Sequence, residues 1–202
     1  MKNVLIIDSC MRGQASRTRR LAKAFEEKYR ETHPEAEVTT VDLAQMRLQP
    51  QYPEVLAHRD ELLAAGRLDD PEFAPARRFA EADLVVVAAP FWDLHFPAAL
   101  KIYLERICVG GITFRYGEHG ESIGMCKAQS MVFISTRGGD FSAPELQAFD
   151  LSTPHLRAMC MMFGIPELHS VCAQGLDDQR NDPERIMEAA IADAEKLAAE
   201  LA

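Results

Sequence analysis

The run LVVVAA at residues 84–89 offers water no polar side chain, and VLII at 4–7 and SMVFIS at 130–135 are nearly as apolar. A short strand that is apolar on both faces needs cover on both faces, which is the condition of a buried parallel sheet. VTTVDL at 38–43 and LHSVCA at 168–173 are more polar and read as edge strands, making five in all. Between the runs, apolar residues return at helical spacing: Leu21, Phe25 and Tyr29, then Leu100, Tyr103, Leu104 and Ile107, then Ile186, Ala190, Ala194, Leu197 and Leu201. Pro97 and Pro183 suit first-turn helix positions. Strands alternating with helices, joined by right-handed crossovers, give an α/β fold: an open, doubly wound sheet with helices on both faces.

Residues 44–75 interrupt the alternation with four prolines and a short polar helix around 54–65. No strand falls there, so the segment reads as a surface excursion from a single domain spanning 1–202. Neither an internal repeat nor a low-complexity linker divides the chain.

A net charge of −9 argues against a nucleic-acid groove, because phosphate backbones demand a basic face. No apolar run approaches the roughly 20 residues that span a bilayer, so no membrane partner is expected. Five cysteines, at 10, 108, 126, 160 and 172, form no CxxC pair, and no basic-then-apolar leader precedes the first strand. A reducing cytoplasm is the expected location. Cysteines and histidines lack metal-ligand spacing, so no metal is expected.

Against that acidic background, DSCMRGQASRTRR at 8–20 gathers Arg12, Arg17, Arg19 and Arg20 with Ser9, Ser16 and Thr18, directly after the first strand. In an open parallel sheet the first strand-to-helix turn is where a phosphate sits. Hydroxyls, a sharp turn at Gly13 and the free amides of a helix starting near 17 suit a phosphate monoester. GxGxxG and GxxxxGK[ST] are both absent, which disfavours a dinucleotide fingerprint or an ATP loop. The plainer alternative is that Ser16 caps a helix and the arginines are solvated; the cluster as a whole favours the anion.

Two more loops follow strands at the same sheet edge. PFWDL at 90–94 brings a large flat side chain, Trp92, and STRGG at 135–139 brings two glycines that let backbone amides approach a ligand. Alone, Trp92 would pass for a core aromatic and STRGG for an ordinary turn. Together the loops describe a phosphate pocket beside a planar-ring pocket, which points to a mononucleotide such as FMN.

The stretches ASRTRRLA, PAALKIYLERICVGGITFRY and STRGG resemble those of the FMN-dependent NADH-azoreductase family, and the likeness runs over essentially the whole chain. It implies a flavodoxin-like three-layer fold with a five-stranded parallel sheet in the order 2-1-3-4-5. By the same resemblance the FMN phosphate falls to Cys10, Ser16, Arg17 and Thr18, with Ser9 beside them. The isoalloxazine falls to Pro90, Phe91, Trp92, Asp93 and Leu94 and to Thr136, Arg137, Gly138 and Gly139. Tyr116, in TFRY, resembles a residue near the substrate mouth, and the Met-rich MCMMFG at 159–164, with Met162, suits a contact with flat ligands or a second copy. Two departures stand out: Cys10 where members usually carry serine, and Asp93 where they commonly carry asparagine.

What the resemblance implies is a homodimeric, FMN-dependent NAD(P)H oxidoreductase that reduces quinones or azo compounds, with NADH or NADPH as donor. The flavin carries that chemistry, so no catalytic acid or base is assigned. His95, His119 and His155 remain candidates for proton supply. Two rival readings are a flavodoxin-like electron carrier without enzymatic activity and a flavin-free redox sensor built on Cys10.

Overall fold

The computed structural model describes residues 2–201. Along the chain run β1 (Asn3–Asp8), α1 (Arg17–Thr32), β2 (Glu37–Asp42), α2 (Leu43–Met46), α3 (Pro53–Ala64), α4 (Ala74–Glu81) and β3 (Leu84–Ala88). They are followed by α5 (Ala98–Ile107), β4 (Phe114–Tyr116), β5 (Ser122–Gly124), β6 (Ser130–Thr136), α6 (Ser152–Phe163), β7 (Glu167–Ala173) and α7 (Pro183–Glu200). The five apolar runs become β1, β2, β3, β6 and β7, which form one parallel sheet in the order β2-β1-β3-β6-β7. With the short ribbon of β4 and β5 set aside, this is the order 2-1-3-4-5. That antiparallel ribbon has no counterpart in the sequence reading. Its strands hold three residues each, too few for an alternating pattern to register.

Burial follows the hydropathy that predicted it. Every residue of β3 and β6 is buried, while β2 and β7 alternate with exposed positions and stand at the edges. Because successive side chains leave a strand on opposite faces, each strand feeds two cores. Leu5, Ile7, Val85, Val87, Met131 and Phe133 pack beneath α4, α5 and α6. Val4, Ile6, Val86, Val132 and Ile134 pack beneath α1 and α7. Leu21, Phe25 and Tyr29 form the buried face of α1, each side chain contributing about 1.5–3 kcal/mol by leaving water. On α7 the innermost face is Met187, Ala190, Ala194 and Ala198, with Ile186 and Leu197 at its flanks. Small alanines let α7 lie close against α1.

The helix expected around 54–65 is α3, and the chain from 44 to 75 is bound to the body at defined points. Leu62 and Phe73 are buried in the core. Arg59 donates to the carbonyls of Glu105 (3.2 Å) and Cys108 and to Gln51 Oε1 (2.9 Å), and Arg106 bridges Glu72 (2.7 Å) and the Gln49 carbonyl (3.0 Å). The last turn of α5 has carbonyls without intrahelical donors and the negative end of a helix dipole, and the Arg59 guanidinium answers both. Among the described residues no helix is long and apolar enough to cross a membrane. All five cysteines are free thiols.

Candidate functional site

Three loops converge beyond the carboxyl ends of β1, β3 and β6, as the topology of an open parallel sheet requires. Between them lies a pocket of about 220 Å³ walled by Arg12 and Ala15–Thr18 from the first loop, Pro90–Trp92 from the second, Thr136–Gly138 from the third, and Leu176 and Asp177 after β7.

The first wall is made by a helix start. Gly13, at φ +57°, turns the chain through a left-handed conformation open to glycine. Ser16 is the N-cap of α1: its hydroxyl accepts from the Arg19 amide at 3.3 Å and its carbonyl from Arg20 at 3.1 Å. The amides of Arg17 and Thr18 precede the first helical bond and remain available to an anion. Arg12 is exposed and has no ion pair among the described residues. Arg17 is engaged, with Asp177 at 2.7 Å and the Leu176 carbonyl at 3.2 Å. Thr18 is fully buried and its hydroxyl lies 2.6 Å from that of Thr136, so the pair ties α1 to the end of β6. Ser9, at the end of β1, keeps a buried hydroxyl without a hydrogen-bond partner.

Cys10 does not line the pocket. It is fully buried in the core beneath α1, its sulfur 3.8 Å from the Ala88 carbonyl. Burial first, and Asp8 beside it, push the thiol up to about 12. A thiol so held is neither a nucleophile nor a redox sensor, which removes the reading built on Cys10.

The second wall contains a tight turn. Trp92 and His95 exchange both backbone hydrogen bonds, at 2.7 and 2.8 Å, around Asp93 (φ +49°) and Leu94 (φ +66°). Two consecutive left-handed residues make a type I′ geometry, which Asp accommodates and Leu resists. The Leu151 amide holds the strained Leu94 carbonyl at 3.0 Å. Trp92 lines the pocket and is partly exposed, whereas Asp93 and Leu94, assigned to the ring by the resemblance, lie outside its lining, Leu94 partly exposed.

The third wall is locked from behind. Amides of Gly175, Leu176 and Asp177 donate to the carbonyls of Gly139, Arg137 and Gly138 at 3.0–3.2 Å. A Cβ on Gly138 would lie 2.2 Å from the Asp177 carboxylate, so only glycine fits while that carboxylate stays. The side chain of Arg137 is buried and turned inward: it bonds Asp150 at 2.7 Å and sits 4.6 Å above the Phe91 ring. Burial alone would raise the Asp150 carboxyl. Bonds from Ser152, the Thr153 amide and hydroxyl, and Arg137 instead hold it well below the usual carboxylate range. Arg137, itself a lining residue of the pocket, therefore braces the wall through Asp150 and Phe91.

Gly139 adjoins the pocket against Phe141, whereas Tyr116 and Met162 lie apart from it. Tyr116, on β4, is 70% exposed, and the Met162 carbonyl accepts from Ser122 of β5 at 3.3 Å. His119 is on the exposed turn between β4 and β5, while His95 and His155 touch each other. The sequence reading gathered Arg12 into the anion cluster without assigning it a contact, and missed Asp177 as a wall residue and Asp150 as the brace. Arg12 had a visible signal, an arginine one residue before the turn glycine. Asp150 had none.

A larger groove of about 770 Å³ opens on the other side of the first loop, between α1 and β2. Most of its charges are paired: Arg19 lies 2.7 Å from Asp8 and 2.9 Å from Asp42, Glu26 pairs with Arg30 and Lys23 with Glu27, while Arg78 has no ion pair among the described residues. The free amides and the unpaired Arg12 favour the smaller pocket as the anion site.

A family model described as flavodoxin-like fold matches residues 2–198. The FMN-dependent NADH:quinone oxidoreductase 2 of Clostridium acetobutylicum is 35% identical over 201 residues, 99% of this chain and 100% of its own. The FMN-dependent NADH:quinone oxidoreductase of Rhizobium meliloti is 36% identical, covering 98% of this chain and 95% of its own. Among solved structures, an FMN-dependent NADH-azoreductase from Bacillus anthracis in complex with FMN superposes with a TM-score of 0.89 over 100% of both chains. Its sequence identity is 24%, so it speaks to the fold alone.

Proposed function

Since the chain belongs to the flavodoxin-like family of FMN-dependent NADH:quinone oxidoreductases, we propose that its three-loop pocket is where FMN is held and where quinones and azo compounds meet it. The chain is an oxidoreductase, and NADH is the donor that its relatives' names specify. The electron-carrier alternative falls, because relatives matched along their full length carry an enzyme's name. The observation that carries the site assignment is the helix start at Ser16, whose free amides, with Arg12 beside them, face the same cavity as Phe91 and Trp92.

The residues present fit FMN. The buried, unpartnered Ser9 hydroxyl, the Arg17 and Thr18 amides and the Arg12 cation suit a phosphate, and the Phe91–Trp92 wall with the Gly138 backbone suits a flat ring. Bound FMN supplies the two-electron chemistry between nicotinamide and acceptor. The protein's part is positioning. The Trp92–His95 turn and the Thr136–Gly139 backbone present polar groups at one edge of the ring site, and the packing of Phe91 against Arg137 and the tilted Phe141 ring keeps that edge rigid. The partly exposed side chain of Trp92 at the pocket excludes water from one side of an arriving acceptor.

We assign residues 1–202 to one FMN-binding domain that works as a cytoplasmic homodimer. Supporting the dimer are Phe149, Leu151 and Met161, large apolar side chains exposed by 47%, 52% and 77%. In this arrangement Tyr116 and Met162, which stand away from their own pocket, serve the substrate mouth of the second copy. Five free cysteines suit a reducing compartment. Anaerobic stopped-flow of the flavin-loaded protein with NADH or NADPH, then with quinones and an azo dye, tests the activity. Bleaching by NADH and reoxidation by quinone are expected, and a protein that holds no flavin or resists both nicotinamides would refute the reading. Light scattering that returns a 22.6 kDa monomer with full activity would refute the dimer.

A further inference from the structure

His95 Nε2 lies 3.3 Å from His155 Nδ1, although the two residues are 60 apart in sequence. The Phe96 amide donates to His95 Nδ1 at 2.9 Å. An amide nitrogen only donates, so His95 Nδ1 carries a lone pair, and the proton of the neutral ring sits on Nε2. That proton faces His155 Nδ1, which accepts it and so carries its own proton on Nε2. One backbone amide thereby sets two tautomers in series.

Neither ring has room for a second proton. On His95 Nδ1 it would meet the Phe96 N–H, donor against donor; on His155 Nδ1 it would meet the N–H of His95. The charged groups facing the pair are Lys101 on α5 and Asp150 at the head of α6, the latter already engaged by Arg137. Burial is the main reason that both imidazoles take up a proton less readily than usual. Asp150 opposes this at His95, whereas Lys101 reinforces it at both rings and His95 at His155.

His95 is also the closing residue of the left-handed turn of the second wall, bonded through its backbone to Trp92. We propose that the His95–His155 pair is the latch that holds the Trp92–His95 turn in its flavin-ready shape while both rings are neutral, and that a proton on either ring releases it. The latch rests on reading that turn as part of the ring site. It makes the histidines positioning residues, because they act through the turn's backbone. The sign follows from linkage: groups that are harder to protonate when the turn is closed leave its affinity intact above the ordinary imidazole value of about 6.5, and weaken it as the pH falls below.

Nitrogen-15 NMR of the flavin-free protein near pH 7.5 reads the tautomers directly. Both rings are expected protonated at Nε2 and titrating below the ordinary value of about 6.5. A proton on Nδ1 of either ring overturns the latch whatever the flavin does. Riboflavin binding gives the second readout, because it lacks the phosphate that itself titrates near pH 6. Affinity should fall about fivefold from pH 7.5 to roughly 5.5, the worth of one hydrogen bond. His155→Asn places an acceptor that does not titrate where Nδ1 stood and leaves only His95 to take a proton, so its affinity should fall less than the parent's over the same range, and His155→Ala should bind weakly at both ends. A fall in His155→Asn as large as in the parent overturns the latch. Absence of riboflavin binding at every pH, with the tautomers as expected, overturns the ring-site reading and the latch with it.

Discussion

The hydroxyls of Thr18 and Thr136 lie 2.6 Å apart, buried, across 118 residues of sequence. The bond fastens the first turn of α1 to the end of β6, the two elements whose loops carry the phosphate wall and the ring wall. Replacing either residue by valine should cost about 1–3 kcal/mol, because its partner is left buried and unpaired. The double replacement should cost less than the sum. Denaturant unfolding of the four proteins closes this cycle, and additive losses would mean that the hydroxyls do not depend on each other.

Arg12 is the cation of the pocket with no carboxylate of its own. Arg12→Gln should weaken FMN by about tenfold, the worth of a charge-assisted bond, and riboflavin by less than twofold. Parallel fluorescence titrations with both flavins measure this. Equal losses would move the phosphate away from the α1 start.

Asp177 holds Arg17 at 2.7 Å on the pocket rim. The pair is exposed on both sides, so its contribution to stability is small. Asp177→Asn should leave unfolding unchanged, free Arg17 and remove a negative charge, tightening FMN roughly threefold at low salt. The gain should shrink as salt screens it. Weaker binding in Asp177→Asn would show that the carboxylate instead orders the third wall.

Asp93 occupies a left-handed position that asparagine fills equally well. Asp93→Asn should therefore keep the turn while removing a negative charge beside the ring site, raising the flavin midpoint potential by roughly 30 to 60 mV. Dye equilibration measures it, and an unchanged potential would mean that only the backbone of Asp93 serves the ring. At the next position, Leu94→Asn should relieve strain and stabilise the protein by about 1 kcal/mol.

Arg59 reaches from α3 to the carbonyls at the end of α5. Arg59→Met keeps the apolar stem but strips those carbonyls of their donor, and should lower stability by about 2 kcal/mol in urea unfolding. A change below about 0.5 kcal/mol would mean that water replaces the guanidinium without loss.

From the sequence alone one can derive the five strands, their split into buried and edge members, the long helices and the sheet edge that binds a ligand. These properties are written locally: a strand covered on both faces must be apolar throughout, and a helix on a sheet must repeat its apolar residues every three or four positions. Ser16 as a helix cap is equally local. Which polar groups of the loops meet a ligand, and which meet each other, was decided only in three dimensions. Thr18 finds Thr136, Arg17 finds Asp177, Arg137 finds Asp150 and His95 finds His155 because crossovers bring distant strand ends together. The buried ones, Thr18, Thr136 and Arg137, must find partners because an unpaired buried polar group is costly. Cys10 turns into the core and Asp93 into a left-handed turn for the same kind of reason. Hydrophobic periodicity records which face is buried, whereas the pairing of polar groups depends on through-space neighbours that no local pattern encodes.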